Sequence, residues 1–153
     1  MKRDKEGNLI FDLTDEEQKA VDKSFKMFDG YVFNPDFVDD FRNGVTAFAL
    51  SIYAIEQIML SEAEAKEKTR KKLIYKGIAA VAKAYSIYQL PIYIYDFACF
   101  IEMVGRVDVA KETFQNFLKE QEKFKPAEFD KAFLGQRNIN AAIQDAKEKT
   151  MCQ

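Results

Sequence analysis

A chain of 153 residues with 48% hydrophobic side chains, among them 14 Phe and 7 Tyr, suffices for one buried core without covalent staples. Its charges nearly cancel, at net −2, which argues against a nucleic-acid binder and against strong attraction to anionic membranes. His is absent, which removes the commonest general base and metal ligand and any Ser–His or Cys–His nucleophile pair.

From the N-terminus, Met1–Gly7 is charged and lacks an apolar h-region, so no signal peptide is expected. Residues 1–13 read as an arm, and residues 14–153 as a single all-α domain of six to seven helices. Thr14 with Glu17 is a capping box, opening a helix with Val21, Phe25 and Phe28 on one stripe; Asp29-Gly30 stops it. Asn34-Pro35 starts the next helix as N-cap and first helical position. Phe37, Phe41, Val45, Phe48, Ile52, Ile55 and Met59 then recur at spacings of three and four, with Asn43-Gly44 read as a kink or tight bend. Leu50, Tyr53, Ala54 and Ile58 make the second half apolar on other faces too, so this helix is expected to be central.

Ser61 with Glu64 reads as a second capping box, and Glu62–Lys66, Glu64–Lys68 and Glu67–Lys71 as i, i+4 pairs. The basic run Lys66–Lys72 is interleaved with Glu and reads as a solvated turn rather than a phosphate patch. That helix continues to Tyr88 and ends near Pro91. Ile92–Val104 follows, apolar nearly all round, then Gly105, then an amphipathic helix from Val107 to about Phe124. A short helix with Phe129 and Phe133 is closed by Gly135. Asn138 caps a last helix bearing Ile139, Ala142, Ile143 and Ala146. The longest charge-free runs, Asn43–Ile55 and Ala84–Tyr95, fall short of the roughly 20 apolar residues of a membrane span. Cys99 and Cys152 read as free thiols of a reducing compartment, so a cytoplasmic soluble protein is expected.

Ile94, Phe97-Ala98, Ile101, Gly105, Ala110 and Phe114 together carry a resemblance. Large, bulky–small and large positions on one helix, a turn glycine, a small crossing residue and an aromatic make Ile92–Phe124 similar to a tetratricopeptide repeat. Ile94 stands where that family has Trp, Phe117 where a small residue is usual, and Pro126 arrives late. The same features serve any antiparallel helix hairpin, in which small residues let two backbones approach. One repeat cannot bury its faces alone, so neighbours must complete it. The expected architecture is therefore a stack of antiparallel hairpins in a right-handed array, or else a compact helical bundle.

The resemblance implies a non-enzymatic adaptor or chaperone-like module that binds a peptide or protein on the wall built by first helices. Carried over, that wall includes Ile92, Tyr95, Cys99 and Glu102. Tyr85, Tyr88, Tyr93 and Tyr95 cluster around Pro91 and make a second candidate partner surface, since Tyr is enriched at interfaces. Burial is the competing explanation, strongest for Ile92 and Cys99. Self-assembly through exposed aromatics is the alternative. A third reading, a carboxylate enzyme with Mg²⁺ on Asp36, Asp39 and Asp40, meets a simpler account: acids at a helix N-terminus are favoured by the dipole. Glu64 and Glu67 form an E-x-x-E, but no E-x-x-D accompanies it. No cofactor is expected.

Overall fold

The residues described in the computed structural model are Lys5, 11–28, 38–128, 130–135 and 137–151; among them are seven helices and no strand, the all-α fold that the periodicities predict. The first, α1 (Asp15–Met27), opens on the capping box expected from Thr14 and Glu17. The Thr14 hydroxyl accepts the Glu17 N–H at 3.2 Å, and Glu17 Oε1 accepts the Thr14 N–H at 2.9 Å. Glu17 is buried and also receives the Lys83 ammonium at 2.7 Å, so one carboxylate both starts α1 and pins it to the helix that carries Lys83.

Helix α2 (Val38–Glu62) runs through Asn43-Gly44 without a break, and Phe41, Val45, Ala49, Leu50 and Ala54 lie in the core. Gly44 is there for a close approach: a Cβ at this position would land on the Phe133 ring. The Asp29-Gly30 stop, the Asn34-Pro35 start, Phe37 and Asp36 lie outside the described residues. By length and composition Asp39–Glu62 would reach across a membrane, but 67% of that window is buried within the protein, as in a core helix.

The α2–α3 connection differs from expectation. Ser61 does not cap α3; it sits in the last turn of α2, where its hydroxyl donates to Ile58 O at 2.6 Å. The acceptor in the turn is Glu64, whose Oε1 takes the Lys66 N–H at 3.0 Å. Helix α3 (Glu67–Ile87) therefore starts later, and its first turn is held by an Arg70–Glu67 fork at 2.7 and 2.9 Å instead of by the expected Glu–Lys pairs that span the turn.

Helices α4 (Pro91–Met103) and α5 (Val107–Lys123) form the hairpin that the sequence marks out. Pro91 opens α4, where its missing N–H costs nothing. Gly105 closes it at φ +85°, a left-handed backbone. The Arg106 N–H bonds back to Ile101 O and the Gly105 N–H to Glu102 O, the paired C-terminal bonds of a Schellman motif. Ala98 and Ala110 are wholly buried at the crossing, with Phe114 and Phe117 filling the space beside them.

Each of α1 to α4 packs on its successor, and α7 (Ile139–Met151) packs on α5 and touches α4. The short α6 (Asp130–Leu134) breaks the sequential order by returning to α2. There the Phe133 ring meets Phe28, Phe41 and Tyr88 at 5.7 to 5.9 Å, an aromatic cluster that ties the C-terminal third of the chain to its N-terminal third.

Candidate functional site

Helix α4 presents three faces, and the candidate residues are divided among them. Ile92 is 2% exposed and belongs to the core; its place on a partner wall is corrected, because a buried side chain leaves no surface for a partner to touch. Tyr95, Cys99 and Glu102 do share one face, at helical spacing and half-buried. That face is already covered, and its cover is α7.

The Tyr95 hydroxyl donates to Asp145 Oδ2 at 2.6 Å, and Lys149 Nζ donates to Glu102 Oε1 at 2.5 Å. The Tyr95 ring stands 5.7 Å from Phe114 and 5.3 Å from Phe117, and the Lys149 ammonium lies 5.0 Å from the Phe114 ring centroid. Burial pushes the Tyr95 phenol above its ordinary range, and the Asp145 carboxylate adds to the effect. Burial likewise pushes the Cys99 thiol up to about 11. Burial works against charge on Lys149, but Glu102 and Asp145 outweigh it and hold the ammonium above its usual value.

The second face is a buried polar knot. Asp96, 6% exposed, accepts from both terminal guanidinium nitrogens of Arg137, at 2.9 and 2.5 Å. Burial raises the carboxyl, against the lowering pull of Arg137. Beside it the Tyr88 hydroxyl donates to the buried Asp130, whose other oxygen takes the Ala127 N–H at 2.7 Å. Tyr88 therefore works as an internal strut rather than as open partner surface. The Tyr93 hydroxyl is buried beside Ser51 without the geometry of a closed hydrogen bond, and burial raises its phenol. Neither Asp96 nor Arg137 stands out by any motif spacing. The signal available is a single carboxylate inside the apolar run of α4, which demands a buried cation from elsewhere in the chain.

The third face is open. Between α3 and α5, over α4, lies a groove of about 260 Å³ lined by Val81, Ala82, Tyr85, Ile94, Phe97 and Asn116. Of the tyrosines singled out from the sequence, Tyr85 is the half-buried one on this wall, its ring set among apolar neighbours. Burial raises its phenol, and Glu120 on α5 contributes.

Asp39 and Asp40 are exposed in the first turn of α2, and Asp36 lies outside the described residues. Among the described residues no three His, Cys, Asp or Glu side chains are grouped to hold a metal ion. Comparison of the chain with protein-family models, with curated proteins and with solved structures finds no match.

Proposed function

We propose that this chain is a partner-binding helical module, akin to the tetratricopeptide class that Ile92–Phe124 resembles, which acts by holding a protein segment and not by catalysis. The supporting observation is the groove between α3 and α5. Every side chain that lines it is uncharged, although 31% of the chain is charged. The groove has an apolar floor in Ile94 and Phe97 and a polar rim in Thr113 and Asn116, the composition of a surface that takes the apolar stripe of an amphipathic helix. Its reducing, cytoplasmic setting is part of the same reading.

The test is selection of peptides from a displayed helical library against the full chain. Selected peptides should bind the parent saturably and lose binding to Ala82→Arg, which puts a charge on an exposed rim position and should leave circular dichroism unchanged. Peptides that bind parent and Ala82→Arg equally would remove the groove from the reading. Self-association is the second reading, favoured by Met59, Leu60 and Tyr75, each more than half exposed. Sedimentation equilibrium decides it: a mass that stays monomeric at high concentration ends it.

A further inference from the structure

The helix over Tyr95, Cys99 and Glu102 is held unequally along its length. At its root Arg137 is clasped by two bonds to the buried Asp96, and Asn138 caps the helix by accepting the Ala141 N–H at 3.0 Å. At its tip the hold is Lys149 on Glu102, with side chains 31% and 36% exposed, and Met151 beyond it is 76% exposed. Between root and tip only Ala142 and Ala146 are fully buried, with Ile139 and Ile143 half-buried. Alanines bring little apolar area out of water, so the apolar hold of the helix on α5 rests on the half-buried Ile139 and Ile143.

The surface beneath has the opposite character: Tyr95 packs against Phe114 and Phe117, large rings with Cys99 beside them on α4. We propose that α7 is a cover hinged at Arg137, and that the face beneath it accepts in its place an amphipathic helix from another molecule. The occupant is defined by what α7 already satisfies. It has small residues four apart, as Ala142 and Ala146 are, an acid to accept the Tyr95 hydroxyl, and a base four residues later for Glu102. This face is distinct from the groove between α3 and α5, which uses Ile94 and Phe97 on another side of α4, so either reading can fail alone.

Cys99 reports the opening. In the full chain with Cys152→Ser it is the sole thiol, and burial keeps it slow toward an aromatic disulfide reagent. Lys149→Glu should raise its labelling rate about fivefold, the factor that corresponds to about 1 kcal/mol for a partly exposed pair. Added salt should speed the parent by screening the same pair and should not speed the variant. A fluorescent peptide of residues 139–151 should then bind the Lys149→Glu chain saturably, because the peptide carries the lysine that the variant lacks. It should fail on the Lys149→Glu, Glu102→Lys chain. Lys149→Gln is the milder variant if circular dichroism shows lost helix. An equal Cys99 rate in all these chains and salts would make α7 a fixed part of the core and overturn the proposal. A fast Cys99 with no saturable peptide binding would overturn it too, by showing an opening that receives nothing.

Discussion

At the scale of single residues, the tightest constraints are two places where a helix comes close to another group. Gly44 looks like a weakness in α2, since Gly costs a helix about 1 kcal/mol relative to Ala. Gly44→Ala should nevertheless destabilise the protein, because the new methyl would fall on the Phe133 ring, and overpacking costs about 1–3 kcal/mol. In a Phe133→Leu background the same change should turn neutral or stabilising. Urea unfolding of the four chains in this cycle checks it, and a Gly44→Ala loss that persists without the ring would rule out the contact as its cause. Ala110, fully buried at the α4–α5 crossing, gives the parallel case. Ala110→Leu should lower stability by about 1–3 kcal/mol or more, since its wholly buried site leaves no room for added methylenes. An unchanged urea midpoint would sink the close crossing.

At the scale of elements, the legible parts of the fold were those encoded locally. A capping box at Thr14, a proline at the start of α4 and a glycine after its end each act within one turn, so spacing alone reveals them. The Ser61–Glu64 pair has the same spacing and means something else, because the local pattern does not say whether α2 has already ended. Tyr95, Cys99 and Glu102 share one face of α4, as their spacing dictates. What covers it depends on Asp145 and Lys149, some fifty residues away, and no period in the sequence joins them. The Asp96–Arg137 clasp was hidden for the same reason, and it fixes the connection between α6 and α7 to α4. Asp96→Asn keeps the shape and removes the charge. It should cost about 1.5–3 kcal/mol, as for a hydrogen bond to a charged group, and lower the melting temperature by several degrees. Calorimetry checks this, and a melting temperature within a degree of the parent would show that the pair merely offsets its own desolvation.

For the whole molecule, the pH dependence follows from which groups hold their protons more tightly when folded. Burial raises the Cys99 thiol from an ordinary value of 9.0 to about 11. Burial is also the first cause that lifts the phenols of Tyr53, Tyr88, Tyr93 and Tyr95 above 10.0, and Lys149 is raised from 10.5 on balance by Glu102 and Asp145. In every case the unfolded chain loses the proton first as pH rises, so the unfolded state binds fewer protons and stability falls with pH. The stabilisation from these groups is complete below about pH 8 and is lost from about pH 9 upward, as Cys99 and then the tyrosines and Lys149 cross their unfolded values. With no His, no imidazole contributes a step between about pH 5 and 8. The melting temperature should therefore descend on the alkaline side, with absorbance of the buried tyrosines as tyrosinate rising together with loss of helix. Cys99→Ala removes the earliest of these groups and should move the onset of the descent up toward pH 10, leaving its steeper part in place. In a Tyr31→Phe, Tyr75→Phe chain, which removes the exposed Tyr75, tyrosinate appearing gradually near pH 10 with the helix intact would mean that the buried phenols open to solvent without unfolding, and the descent would then need another cause.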